Sequence, residues 1–505
     1  MVTPILLQDA VASLFEGINI ALTPSILGWM LLGLTAGMVL GALPGIGSPV
    51  AMAIALPLTI PLPPEAAIIL LVAIYSGAMY GGSVAAILLN APGTESAAAT
   101  TLDGYPMAKD GLAKNALAIA TTSSALNGFL GAIILVILSP LLIEVVLAFG
   151  SPEYFLLAVL GISLITIVTD GSIVKGLVSG AFGLMISTIG VAIFSPTPRF
   201  SFGSLALYEG INFVAALIGM FAFAEMMKLA AQKTITDEAV ELGGSIRAGI
   251  REVFKYPKSM VKALLIGIGI GMVPGSGATT STFVAYAEEA RSRIGGRFGE
   301  GDPRGIIAPE GANNPTVSGS LVPTLSFGIP GSGSTAVLLG GILMHGLQPG
   351  PVLFDEQLSF TYAIFVSLFL GNFAILAVGY TVIPYASRIT DLDTNVIIPM
   401  VVVLSFAGAY TLADNWVDVL AVLVLGVYGF YMVRYNYSVI AFVLGIVLGP
   451  IAEENLFRSL SISGGSWSIF VNRPLSLMIV IAIFVVLFGP FLGPYVRQTI
   501  DRVGS

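Results

Sequence analysis

Pro-Gly pairs set inside long uncharged stretches constrain this chain more than any other feature. Leu43-Pro44-Gly45-Ile46-Gly47-Ser48 returns as Val273-Pro274-Gly275-Ser276-Gly277-Ala278. Asn90-Ala91-Pro92-Gly93-Thr94-Glu95-Ser96-Ala97 returns as Gly328-Ile329-Pro330-Gly331-Ser332-Gly333-Ser334-Thr335. Prolines 44 and 274 are 230 positions apart and prolines 92 and 330 are 238 apart, so one two-loop unit occurs twice in the same order. Pro and Gly interrupt helices. In hydrocarbon such an interruption leaves N–H and C=O groups that lipid cannot satisfy, so it persists only where protein, ligand or trapped water does. Paired interruptions at matching positions in two halves point to the binding site of a secondary transporter.

The membrane setting follows from charge. Only 10% of the 505 residues are charged, against about 25% in soluble domains. Residues 17–64, 66–94, 115–143, 176–198, 263–287, 311–354, 357–387 and 474–496 hold no Asp, Glu, Lys or Arg. A crossing helix needs roughly 20 apolar residues, so about a dozen crossings are expected, with short half-helices at the Pro-Gly loops. The expected fold is all-α: a polytopic integral membrane protein with re-entrant or broken helical hairpins and two inverted repeats. The net charge of −8 is spread over connecting loops and forms neither a nucleic-acid face nor a polybasic lipid patch. The chain has no Cys and one His, which excludes disulfides, thiolate metal sites and multi-histidine metal sites. The N-terminus lacks a basic region followed by a small-residue cleavage site, so no removable signal peptide is expected.

The only long hydrophilic break lies near residues 228–262. It carries Lys228, Lys233, Arg247, Arg251, Lys255, Lys258 and Lys262 against Asp237, Glu238, Glu241 and Glu252. Basic residues beside spans place it on the cytoplasmic side. A second basic cluster, Arg291, Arg293, Arg297 and Arg304, follows the loop at Pro274. If both clusters are cytoplasmic, residues 263–290 enter and leave on one side, as a hairpin with Pro274-Gly275 at its tip. The expected organisation is therefore a first membrane repeat over 1–230, a cytoplasmic connector over 231–258 and a second repeat over 259–505. Asp170 and Asp414 are candidate equivalents.

The stretch from Asn90 to Ser96 is expected to be helix, break, helix start. A helix N-terminus carries about +0.5 charge and free N–H groups, and holds a carboxylate without Lys or Arg. The preceding helix end offers carbonyls that suit Na+. Asn90, Pro92, Gly93, Thr94 and Ser96, with Gly331, Ser332, Gly333 and Ser334, are the expected substrate contacts. Gly45, Gly47, Ser48, Gly275, Ser276 and Gly277 would complete the cavity. Glu95, Thr279, Asn313 and Asn314 are the candidate coupling-ion ligands, with no metal expected beyond Na+. The plainer readings are a Pro kink satisfied by Ser and Thr and small residues serving helix packing; four loops paired by repeat favour a site. Asn313-Asn314-Pro315 reads equally well as an Asn-Pro turn at the end of a span, and Glu95 as a helix N-terminal cap. Asp103 and Lys109 read as membrane-edge residues in a polar turn, and His345 as a structural hydrogen-bonding group. No Walker lysine motif and no nucleophile–histidine set appears, so no enzyme activity is expected, and no cofactor other than co-transported Na+ or H+.

Longer motifs carry a family resemblance. Tyr80-Gly81-Gly82-Ser83, the stretch from Asn90 to Lys109, Val273-Pro274-Gly275, Gly328-Ile329-Pro330-Gly331, His345-Gly346-Leu347-Gln348-Pro349-Gly350-Pro351 and Gly449-Pro450-Ile451-Ala452-Glu453-Glu454-Asn455 together resemble the large membrane subunit of tripartite tricarboxylate transporters. The resemblance covers essentially the whole chain. It implies a multi-pass carrier of the bacterial inner membrane that takes up organic di- or tricarboxylates, working with a small four-span membrane subunit and a periplasmic substrate-binding protein. The chain agrees independently on one point: it has no hydrophilic segment long enough to be a substrate-capturing domain. The expected mechanism is alternating access driven by a Na+ or H+ gradient; the alternative is a gradient-independent carboxylate channel or exporter.

Overall fold

The computed structural model describes residues 4–168, 172–192, 194–231, 240–291, 296–385, 394–413 and 415–503. Asp170, Asp414, Lys233, Asp237, Glu238 and Arg293, named above, lie outside the described residues. Apart from helices and the loops between them, the described residues hold one two-residue strand pairing, Gly190–Val191 with Pro198–Arg199. Seven helices among the described residues are long and apolar enough to cross a membrane, Pro64–Leu89 and Leu358–Tyr385 among them, and shorter apolar helices include Ser48–Thr59 and Gly333–Met344. The all-α polytopic expectation holds. The chain forms two compact units, one of Met1–Val146 with Val214–Phe430, the other of Leu147–Phe213 with Tyr431–Ser505. Each half of the sequence thus contributes to both units.

In the first unit both Pro-Gly hairpins have the same build. Pro24–Gly41 turns at Pro44-Gly45 into Ser48–Ala55, and Pro257–Gly271 turns at Pro274-Gly275 into Gly277–Arg291. Gly45 and Gly275 take φ of +88° and +79° at equivalent turn positions. The 15-residue limb Pro257–Gly271 rises about 22 Å, short of the roughly 30 Å of hydrocarbon, whereas the equivalent Pro24–Gly41 is among the seven helices long and apolar enough to cross.

Each hairpin packs on a long buried helix through glycines set against backbone carbonyls. A Cβ on Gly37, Gly41 or Gly81 would collide with the carbonyl oxygens of Ile74, Ala78 and Met38, respectively. The second repeat makes the same three contacts: Gly267 on Ala312, Gly271 on Thr316 and Gly319 on Ile268. Shifting hairpin residues by 230 and long-helix residues by 238 converts each contact of the first set into one of the second. Glycine at these places lets backbones approach where lipid gives helices no hydrophobic reason to associate.

The long helices, Pro64–Leu89 and Arg304–Phe327, are buried along nearly their whole length. They run antiparallel: Ser83 bonds Glu310, Met79 bonds Asn313, Ser76 bonds Asn314 and Tyr75 bonds Ser320, so positions fall on one helix as they rise on the other. Asn314 and Ser76 are themselves 238 apart, and Asn314 Nδ2 donates to Ser76 Oγ at 3.3 Å. Residues in equivalent positions meet only at a two-fold axis, which is the relation of an inverted pair. Arg304–Phe327 stays helical despite Pro309, Pro315 and Pro323. Pro315 removes the donor that Gly311 O would have received, and Asn127 Nδ2 supplies it at 2.8 Å.

The second unit packs Val439–Ile462 against Ser151–Val168 and Ile173–Ser187. Gly183 and Gly445 allow their close approach. Buried Glu153 receives Arg473 Nε at 2.7 Å, Ser476 Oγ at 2.6 Å and Gly150 N at 2.9 Å. Arg199 grips Glu453 with two nitrogens, at 2.9 and 3.1 Å.

Two glycines on one helix separate packing from composition. Gly271 lies against Thr316 O and Gly319, while Gly269 has nothing within 4 Å of its added Cβ. Gly271→Val is expected to lower stability by about 1–3 kcal/mol through overpacking, and Gly269→Ala to leave it unchanged or slightly raised. Thermal unfolding of the detergent-solubilised protein measures both.

Candidate functional site

The two helix breaks have the same backbone. Asn90 closes Pro64–Leu89 with φ +52°, and Gly328 closes Arg304–Phe327 with φ +67°. Both are left-handed caps, a conformation open to Gly and tolerated by Asn. Pro92 and Pro330 follow, then Gly93 and Gly331. Gly93 abuts Gly41 O and Gly82; Gly331 abuts Gly271 O and Ser320, which are the equivalent residues. Thr94 and Ser332 then stand in extended conformation at the N-caps of the next helical segments. At Ser332 the cap is reciprocal: Thr335 N donates to Ser332 Oγ, and Ser332 N to Thr335 Oγ1. The first-turn N–H groups of Gly333 and Ser334 have no acceptor within their own helix.

All four loops converge. Ser48 Oγ, at the start of the first hairpin's second limb, lies 2.7 Å from Ser334 Oγ of the second break. Ser48 Oγ and Ser96 Oγ both reach Met79 Sδ, at 3.6 and 3.8 Å. Thr94 Oγ1 is 3.1 Å from Ser96 Oγ. The fourth loop joins through Gly277 N, which donates to Gly331 O at 3.3 Å. Tyr75 OH bridges Ser320 Oγ and Ser332 Oγ at 3.4 and 3.3 Å. Ser48, Thr94, Ser96 and Ser334 are buried, whereas Gly45, Gly47, Pro92, Ser276, Gly277 and Ser332 are half-buried and Asn90 is exposed. The cluster therefore runs from the interior to the protein surface. Its lining is hydroxyls and main-chain groups, with no Lys or Arg in any of the four loops.

Some sequence-chosen residues serve the backbone. Asn90 is a helix cap, and Ser276 Oγ donates to Ile270 O and Val273 O, closing the preceding helix. Glu95 is exposed and Thr279 half-buried. Asn313 and Asn314 lie inside the continuous Arg304–Phe327 helix and are fully buried, so the alternative of an Asn-Pro turn does not apply. Asn313 Nδ2 donates to Met79 O at 3.0 Å, and Asn314 Nδ2 to Asn372 Oδ1 at 2.8 Å. Asp103 sits in a helix, not a turn. Its Oδ1 collects N–H groups of Gly299, Gly301 and Asp302 at 2.8–2.9 Å, and Oδ2 accepts from Tyr286 OH at 2.9 Å. His345 Nε2 lies 3.3 Å from Thr59 Oγ1.

The sequence reading missed Glu310. It is fully buried, and its Oε1 accepts from Ser83 Oγ at 2.6 Å and Thr100 Oγ1 at 2.5 Å. Its Oε2 and the Oδ1 of Asn313 have no hydrogen-bond partner. The available signal was an acid three residues before a buried Asn, on one helical face; three prolines masked that helix.

These features define a multi-pass helical membrane protein built on antiparallel repeats, each with a broken helix at its centre. The chain belongs to the tripartite tricarboxylate transporter TctA family, whose model matches residues 27–444; it is the large subunit of such a transporter. It is 34% identical over 498 residues to an uncharacterised 52.8 kDa protein in the TAR-I ttuC' 3' region of Agrobacterium vitis, covering 98% of this chain and 99% of that protein. It is 29% identical over 236 residues to an uncharacterised protein in the TAR-II ttuC' 3' region of the same organism, covering 46% of this chain and 97% of that one. No solved structure matches the chain.

The Ser48–Ser334 contact ties a hairpin tip of one repeat to the break of the other. A double-mutant cycle of Ser48→Ala and Ser334→Ala, read by thermal unfolding, is expected to give a coupling of about 0.5–1.5 kcal/mol. Zero coupling would mean that the two loops do not meet in the folded protein.

Proposed function

We propose that this chain is the translocation subunit of a binding-protein-dependent secondary transporter that imports organic di- or tricarboxylates by alternating access. The observation that carries this reading is the convergence of all four Pro-Gly loops in one hydroxyl-rich cluster. The substrate's carboxylates would sit against first-turn N–H groups at Gly333 and Ser334 and the hydroxyls of Ser48, Thr94, Ser96 and Ser332, completed by Gly45, Gly47, Gly275 and Gly277. Helix N-termini suit an anion without a cationic side chain. A multiply charged anion is costly to bury alone, so a co-bound cation would accompany it and link uptake to an ion gradient. Na+, a hard cation that takes oxygen ligands, is the cation this reading favours over H+.

On this reading the chain works in the bacterial inner membrane with a small four-span subunit and a periplasmic receptor that captures the substrate. The test is uptake of labelled citrate and of a dicarboxylate panel by proteoliposomes holding all three components. Accumulation is expected when Na+ is imposed inward at equal pH. Flux that ignores every ion gradient would replace the carrier with a channel or exporter. Gly331→Ala, whose methyl group presses on Ser320 and Gly271 O without overlapping the backbone, is expected to cut uptake at least tenfold while the complex still assembles.

A further inference from the structure

We propose that Glu310 and Asn313 form the coupling-cation site and take one Na+ ion; this rests on the carrier reading above. The two side chains lie one turn apart on the Arg304–Phe327 helix, both fully buried. Each presents an oxygen with no donor, Oε2 of Glu310 and Oδ1 of Asn313. Two acceptors left bare in the interior call for either a proton on Glu310 or a bound cation, because an uncompensated buried carboxylate is among the costliest groups a membrane protein can hold.

Protein cations do not supply that charge. Among the described residues no ion pair includes Glu310. Of the basic groups on this helix and on those packed around it, Lys258 and Arg291 are exposed, and Lys262 and Arg304 face other acids. Lys262 lies 4.0 and 3.8 Å from Glu288 and Glu289, and Arg304 is 3.0 Å from Asp302. Asp103 is held by main-chain N–H groups and Tyr286. The neighbouring phenols are also committed: Tyr80 OH to Thr121 at 2.7 Å, and Tyr75 OH to Ser320 and Ser332. The ligands on offer are a carboxylate, an amide carbonyl and two hydroxyls, an all-oxygen set of the kind a hard cation prefers.

The location explains coupling. Ser83 belongs to the helix before the Asn90–Thr94 break and Thr100 to the helix after it, and both donate to the same Glu310 oxygen. Asn313 Nδ2 holds Met79 O, and the Met79 sulfur lies between Ser48 and Ser96. A cation that draws Glu310 and Asn313 together therefore sets the spacing of both sides of the substrate loop. This is a positional route from ion to substrate, with the coupling free energy shared reciprocally between the two ligands.

The test uses the purified full-length chain in nanodiscs, without substrate or partners. The unfolding midpoint is followed as NaCl replaces KCl at constant ionic strength, and again as pH varies at fixed Na+. A saturable rise with Na+ is expected for the wild type, and none for Glu310→Gln, which keeps an oxygen for Ser83 and Thr100. Asn313→Ala is expected to raise the half-saturating Na+ concentration about tenfold or more, the size of one lost charge-assisted contact. Should Glu310→Gln not yield monodisperse protein, Glu310→Asp, which keeps the charge on a shorter arm, is expected to retain the Na+ response at higher concentration. An unchanged Na+ response in Glu310→Gln overturns the site. A wild-type midpoint that follows pH but ignores Na+ also overturns it, assigning the charge to a proton. Because no transport is measured, this failure is distinct from uptake that ignores all gradients, which would sink the carrier reading instead.

Discussion

Helices inside a membrane gain little from hydrophobic attraction, since lipid tails are as apolar as leucine; they associate by packing and polar contacts. The first unit of this protein depends on how near two backbones can come. Gly37, Gly41 and Gly81, with their counterparts Gly267, Gly271 and Gly319, bring each Pro-Gly hairpin against its long helix at carbonyl distance. That approach also places the breaks, because Gly93 rests on Gly41 O and Gly331 on Gly271 O. The residues that stop the helices and the residues that pack them form one continuous contact, and a methyl group at most of these points would separate hairpin, long helix and loop together.

The broken helices then meet the demand that every interior N–H and C=O be satisfied. Asn127 answers the carbonyl that Pro315 frees, Ser276 closes the end of its own hairpin limb, and Ser332 with Thr335 closes the start of the next helix. What remains is a small group of hydroxyls around Met79 and first-turn amides that no helix can use. This remainder holds no lysine or arginine.

Much of this was legible in the sequence because the break positions constrain the backbone itself. A left-handed cap tolerates Asn90 or Gly328, and a tight turn takes Pro-Gly, so the repeat shows as identities at fixed offsets. The acid at the centre was not legible. Glu95 stands in a break between apolar runs and looks intramembrane, yet it is exposed; Glu310 stands beside three helix-breaking prolines and looks like a turn, yet it is fully buried in a helix. The difference lies in tertiary partners. Asn127 restores what Pro315 removes, and Ser83 and Thr100 arrive from sequence positions more than 200 residues away. The division into two compact units was hidden for the same reason, since each unit is assembled from both halves of the chain.

The two-fold relation holds in the packing contacts of the scaffold and is broken in content. The counterpart of Glu310, 238 positions earlier, is Val72, a buried hydrocarbon side chain. This chain carries its acid on one side of the axis only. The two halves are therefore not equivalent: one sets a carboxyl in the interior where the other sets a hydrocarbon.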